Sequence, residues 1–218
     1  IRAVREVETA VWTPTFGLTD AEKRYRQGVR KSVYTRERID SGSQITKDNI
    51  AYLRGDEDPD QYPIKIEQVV GKHTNKSIEK YTPIKMTDID VKTTAALACR
   101  SESTRLYGKP LQLVGEKPIL QHIVDGLRTV PNLDEIVLAI ADTPSQSSYI
   151  DFAERNNIEY VIGPEIDVLH RCISVAQETE SDFIVKANTE NPYVGYKLIK
   201  DAISTIIETN ADLVAMEN

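Results

Sequence analysis

The chain has few of the residue types that would point to metal, redox or membrane chemistry. Only two cysteines, Cys99 and Cys172, occur in 218 residues. Their separation makes no metal-ligand or redox spacing. They read as buried thiols in a reducing compartment, hence a cytoplasmic protein, rather than as a disulfide. The three histidines, His73, His122 and His170, are far apart and read as surface or packing residues. No apolar run approaches the roughly 20 residues needed to cross a bilayer, and no secretory pattern opens the chain, so no membrane partner is expected. The GxxxxGK[ST] and GxGxxG fingerprints are both missing, which argues against a P-loop enzyme and a dinucleotide-dependent dehydrogenase. The first residue is Ile1 rather than methionine, so a piece of a longer chain is expected.

What is present is a chain with 40% hydrophobic residues, enough for a sizeable core. Its charge is unevenly divided. Residues 1–90 hold 16 Lys and Arg against 15 Asp and Glu, whereas residues 91–218 hold 11 against 19. So acidic a second half argues against nucleic acid as a partner. Within it, Arg100, Arg105 and Lys109 cluster in one polar loop that also carries Ser101, Ser103 and Gly108. The loop follows an apolar run from Thr94 to Cys99, read as a buried strand. It precedes an amphipathic helix starting near Pro118. Strand, polar loop and helix frame many phosphate sites, and arginine forks with a lysine point charge suit triphosphate oxygens. A solvated surface loop would have the same composition.

In chain order, residues 1–10 can form a short helix, Thr13-Pro14 breaks it, and Thr19 to Glu22 offers a cap for a charged turn. Residues 1–29 read as a linker or tail. From Arg30 the pattern changes. Ser32-Val33-Tyr34-Thr35 alternates as a strand. Ile39-Asp40-Ser41-Gly42 then opens a phrase of turn, short strand and helical turn, the last over Thr46 to Ile50. The phrase recurs from Ile78, with Thr87-Asp88-Ile89 in the place of its helical turn. An internal repeat of this kind predicts a small β module with much irregular structure.

Residues 30–90 resemble the SAF, or antifreeze-like, domain. The resemblance is carried by Arg30-Lys31-Ser32-Val33-Tyr34, Ile39-Asp40-Ser41-Gly42, Val69-Val70-Gly71-Lys72 and Ile78-Glu79-Lys80-Tyr81-Thr82-Pro83. Residues 1–29 are similar to the linker that joins such a domain to the barrel of sialic acid synthases. The resemblance implies a β-clip-like module. It also implies that an arginine of an Arg-Pro-Gly phrase contacts the sugar in a partner subunit. Leu53-Arg54-Gly55 is the nearest match here and lacks the proline, which makes Arg54 the candidate sugar-binding residue.

Residues 93–218 alternate strand and helix. Strands are expected at Thr94–Cys99, Glu135–Ile140, Glu159–Ile162, Phe183–Lys186 and Ala211–Met216. Helices are expected from Pro118 to Leu127, Gln146 to Asn156, Asp167 to Glu178 and Tyr196 to Thr209. Five strands and four helices in alternation predict an α/β fold, a parallel sheet covered on both faces, with ligands beyond the strands' carboxyl ends.

The loop Arg100-x-x-Ser103-x-Arg105-Leu106-x-Gly108-Lys109 is similar to the signature of SpsF-like cytidylyltransferases, relatives of the CMP-sialic acid synthetases. Ala139-Ile140-Ala141-Asp142 and Gly163-Pro164-Glu165-Ile166-Asp167-Val168-Leu169-His170-Arg171 match the same family in the same order. The resemblance implies a Rossmann-like, glycosyltransferase-A-type nucleotidyltransferase domain, incomplete at its carboxyl end. It implies transfer of CMP from CTP to a sialic-acid-like nonulosonate, in surface or spore-coat polysaccharide biosynthesis, by a homo-oligomer. Arg105 and Lys109 become catalytic candidates. Ala98, Arg100, Ser101, Ser103 and Asp167 join them as nucleotide-binding candidates, and Asp167 would equally serve to cap the helix it precedes.

The family's magnesium-binding aspartate sits in an Arg-x-Thr-x-Asp-x-Pro phrase. Here the phrase is Lys186-Ala187-Asn188-Thr189-Glu190-Asn191-Pro192. Glu190 is therefore the candidate Mg2+ ligand, one methylene longer than aspartate, and Lys186 and Asn188 replace the arginine and threonine. That departure leaves a second reading open: a SAF module that closes a synthase's sugar site, followed by a degenerate, non-catalytic scaffold.

Overall fold

The computed structural model describes residues 4–7, 17–55, 62, 65–100, 108–144, 146–190, 192 and 195–215. Residues 4–7 form one helical turn, part of the helix expected over residues 1–10. Helix α1 (Asp20–Val29) starts where the sequence places a cap. The Glu22 N–H donates to Thr19 Oγ1 at 3.3 Å, and the Thr19 N–H donates back to Glu22 Oε2 at 2.8 Å. Two amide groups left open by helix geometry are thereby satisfied reciprocally.

Strands β1 (Ser32–Thr35) and β2 (Ile50–Leu53) pair antiparallel, with Val33 opposite Tyr52. The two repeat phrases pair with each other. Ile39 and Ile78, the first residue of each copy, form an antiparallel bridge in which each N–H donates to the other's carbonyl, at 2.9 and 2.8 Å. Equivalent isoleucines of the two copies, Ile45 and Ile84, are both fully buried in the module's core. Equivalent turn positions, Gly42 and Tyr81, both take positive φ, 78° and 58°. Glycine accepts this freely. Tyr81 is held there by its N–H bond to Thr35 O at 3.0 Å, with the Lys80 ammonium 4.6 Å above its ring.

The copies differ in one expected feature. The second has a helical turn of the 3-10 type at Met86–Asp88. The first has only a bend over residues 47–49, where the Thr46 N–H donates to Asn49 Oδ1 at 2.9 Å. Ile50 passes straight from that bend into the ladder opposite Thr35.

The second half is built from β3 (Thr93–Cys99), a hairpin of β4 (Leu113–Val114) and β5 (Lys117–Pro118), α2 (Ile119–Leu127), β6 (Glu135–Ala141), α3 (Ser147–Asn156), β7 (Glu159–Gly163), α4 (Val168–Thr179), β8 (Phe183–Asn188) and α5 (Tyr196–Thr209). Strands β7, β6, β3 and β8 lie in that order in one parallel sheet. Strand side chains alternate between its faces. Ala95, Leu97 and Cys99 join a core with residues of α2, α3 and α5, whereas Ala96 packs with Cys172 and Val175 of α4. Helices therefore cover both faces, as the alternation predicted.

Two local expectations need correction. The sheet has four strands among the described residues rather than five, because residues 211–215 form no ladder. Helix α5 ends at Asn210 with φ 50°, and the Asn210 side-chain amide donates to Tyr62 O of the first module at 3.1 Å. Pro118 is the N-cap of α2 and the last residue of β5, not part of the helix's first turn. The hairpin it closes turns through Gly115 at φ 65°.

The two halves touch at the amino end of β8. The Lys72 ammonium contacts Asp182 Oδ2 at 2.5 Å, and the same oxygen accepts the Lys92 N–H at 2.9 Å. Phe183 and Ile207 pack against the isoleucine core of the first module.

Candidate nucleotide site

The first two strands added after β3 lie on one side of it, and the fourth lies on the other. The carboxyl ends of β3 and β8 therefore flank the point where the order reverses, which in open parallel sheets is where ligands bind. Ala98 pairs with Asn188 across that point. Just beyond it the Thr189 hydroxyl, in a buried side chain, donates to Ala98 O at 3.0 Å and ties the two strand ends together. Arg100 leaves β3 exposed to solvent, and its carbonyl accepts the Tyr149 hydroxyl of α3 at 3.3 Å.

Lys109 returns the chain to the same edge. Gly108 before it takes φ 61°, and a 3-10 turn runs from Lys109 to Leu111. The Lys109 ammonium lies 3.1 Å from Glu190 Oε2. One cation of the polar loop thus meets the carboxylate expected to bind metal. Among the described residues, no group of three His, Cys, Asp or Glu is placed to hold an ion. Glu190 is exposed and would be the protein's carboxylate for a magnesium ion shared with substrate phosphates. Magnesium is commonly bound in this way, through one or two carboxylates plus phosphates and water.

The other predicted residues fall in three places. Ser101, Ser103 and Arg105 lie outside the described residues. Asp167 is the N-cap of α4, its Oδ1 accepting the His170 N–H at 2.8 Å, so the capping alternative is realised in the structure. Arg54 follows β2 in the first module and is exposed, whereas Ala98 lies in β3, Arg100 just after it, Lys109 in the 3-10 turn and Glu190 just after β8.

Sequence reasoning missed two contributors. Thr189 stands at a variable position of its phrase, yet it clips the strand ends together. Arg171 is the larger surprise. It stands in the first turn of α4, is 1% exposed, and its Nη1 donates to Pro164 O and Glu165 O. Burial pushes its pKa down. Charged residues are seldom fully buried, so residue type alone argued for the surface. Burial likewise pushes the Cys99 and Cys172 thiols up, which keeps both protonated and chemically quiet.

Comparison with known proteins follows this division of the chain. A family model described as cytidylyltransferase matches residues 95–218, and one described as SAF domain matches residues 30–90. A 3-deoxy-manno-octulosonate cytidylyltransferase of Geotalea daltonii is 28% identical over 127 residues, 57% of this chain and 48% of its own. An uncharacterized protein of Methanocaldococcus jannaschii is 25% identical over 122 residues, 56% of this chain and 50% of its own. The chain thus spans about half the length of the curated relatives it matches. A solved cytidylyltransferase structure from Leptospira borgpetersenii superposes with a TM-score of 0.50 at 21% identity, covering 53% of this chain and 49% of that one. That likeness concerns the fold. With a family model over more than half its length, the chain belongs to the cytidylyltransferase family and carries a SAF domain ahead of the cytidylyltransferase domain.

Proposed function

We propose that the protein transfers CMP from CTP to the anomeric hydroxyl of a 2-keto sugar acid of the octulosonate or nonulosonate type. The observation that carries this reading is the meeting of Lys109, Glu190 and the β3 terminus at the sheet's switch point, within the matched cytidylyltransferase region. The acceptor class follows from the names of the matched relatives and from the sialic-acid-type resemblance of the sequence.

In the reaction, the sugar's anomeric oxygen forms a bond to the α-phosphorus of CTP. The bond from that phosphorus to the bridging oxygen of pyrophosphate breaks. The hydroxyl proton passes to solvent. Such in-line displacements depend on positioning and charge neutralisation more than on covalent catalysis. Lys109 and Arg105 hold the departing phosphates, and Arg100 and Ser103 seat the nucleotide. Thr189 keeps the β3 and β8 ends at fixed separation. Glu190 would hold a magnesium ion, which when bound would supply further neutralisation of triphosphate charge.

The test is pyrophosphate release by the full-length protein, with CTP and magnesium, on a panel of sugar acids. Release with an octulosonate or nonulosonate, and none with ATP in place of CTP, is the expected result. Equal turnover of ATP and CTP, or none with any acceptor while CTP binds, would reject the assignment.

A further inference from the structure

Arg171 is a buried cation, and the carboxylate that favours its charge is that of Asp167 in the turn before α4. The arginine side chain is closed off from solvent, and among the described residues it forms no ion pair with Asp or Glu. Nη1 is engaged by two backbone carbonyls, while Nε is buried and has no hydrogen-bond partner among the described residues. A charge buried without a hydrogen-bonded ion pair is costly, and natural folds keep one where something offsets it. The carbonyls that Nη1 ties down belong to Pro164 and Glu165, the chain leaving β7 at the sheet's carboxyl edge. The same chain packs on the arginine stem: a Cβ on Gly163 would come within 2.9 Å of Arg171 Cγ. Gly163 O in turn accepts the Asp142 N–H beyond β6 at 2.8 Å. The guanidinium thus holds the chain leaving β7, which that backbone bond joins to the end of β6, and the charges of Arg100 and Asp167 act on it with opposite sign.

From this arrangement we infer that Arg171 is a positioning residue for the nucleotide. It holds the Gly163–Asp167 turn in place at the carboxyl edge, where the nucleotide binds. The inference rests on the nucleotide-binding reading of the site. It requires that Arg171 matter more to the liganded protein than to the free one. A residue that merely packs would behave in the opposite way.

The experiment measures CTP affinity by calorimetry and melting temperature without ligand, for the wild type, Arg171→Lys and Arg171→Met. Glu178→Gln, on the exposed side of the same helix, is the control. The expected order of CTP dissociation constants is wild type, then Arg171→Lys, then Arg171→Met, with a tenfold or greater loss in the last. Ligand-free melting temperatures should stay close to that of the wild type. Lysine keeps the charge but loses the fork that spans two carbonyls. Lowered melting temperatures with unchanged CTP affinity would overturn the inference and leave the proposed function standing. No CTP binding by the wild type would remove both. Should Arg171→Met fail to fold, Gly163→Ala displaces the arginine stem by its added Cβ. A severalfold loss of CTP affinity is then expected, and unchanged affinity would overturn the inference.

Discussion

The ammonium of Lys109 lies 3.1 Å from the carboxylate of Glu190, 81 residues further along the chain. Both side chains are partly open to solvent, at 36% and 60%. Ion pairs so exposed contribute about 0–1 kcal/mol to stability. The pair therefore does little for the fold, and in the proposed reaction each partner acts on ligand instead. Glu190→Gln should leave the melting temperature nearly unchanged and raise the magnesium concentration needed for half-maximal activity. Lys109→Ala should weaken CTP binding by roughly 1.5–3 kcal/mol, about ten- to a hundredfold, the worth of one charge-assisted contact. Calorimetry and a magnesium titration of activity check both. Unaltered CTP affinity in Lys109→Ala would take this lysine out of the site.

Asp182 joins the two halves through one oxygen that accepts from both Lys72 Nζ and the Lys92 N–H. Removing an acceptor strands two donors in a region only about one-fifth exposed; removing Lys72 strands none of the backbone. Asp182→Ala should thus cost more than Lys72→Ala, with the former near 1.5–3 kcal/mol. Chemical denaturation of both variants decides it, and equal losses would show that the backbone bond contributes nothing.

Gly126 lies in α2 under the ring of Tyr196, at the start of α5. A Cβ there would come 1.9 Å from Tyr196 Cζ. In an open helix, Gly→Ala gains about 0.5–1 kcal/mol. Forcing a methyl group into a packed contact costs typically 1–3 kcal/mol, so the sign reverses. Gly126→Ala should lower the melting temperature. The double variant with Tyr196→Ala should lose less than the sum of the two single losses.

Asp125 carries a pH dependence. Hydrogen bonds from Lys117 at 2.8 Å and Gln121 at 2.7 Å hold its carboxyl below the ordinary value of 3.8. A carboxyl lowered in the folded state binds protons more readily when unfolded, so its contribution is complete above the ordinary value. That contribution is lost as pH falls through the lowered one. The stability difference between the wild type and Asp125→Asn should be constant near neutrality and shrink below about pH 4. Melting curves across that range are the measurement. A difference that grows on acidification would contradict the assignment.

Much of this architecture is written in local pattern. Apolar runs such as Thr94–Cys99 and Glu135–Ile140 become central strands because only a sheet buried on both faces can use them. Thr19 and Asp167 cap their helices because side-chain oxygens there satisfy amides that the helix leaves open. The repeat phrases at Ile39 and Ile78 could be read by eye, and so could the clustered cations of the Arg100–Lys109 loop. What only the tertiary structure decided are relationships between distant segments. Whether Ala211–Ala215 extends the sheet depends on a ladder partner that its own residues do not specify. That Lys109 meets Glu190 depends on β8 lying beside β3, which strand patterns alone cannot order. Arg171 looks like a surface residue until the β7–α4 turn closes over it. Its burial is then determined by two backbone carbonyls, groups present at every position and therefore invisible in a sequence.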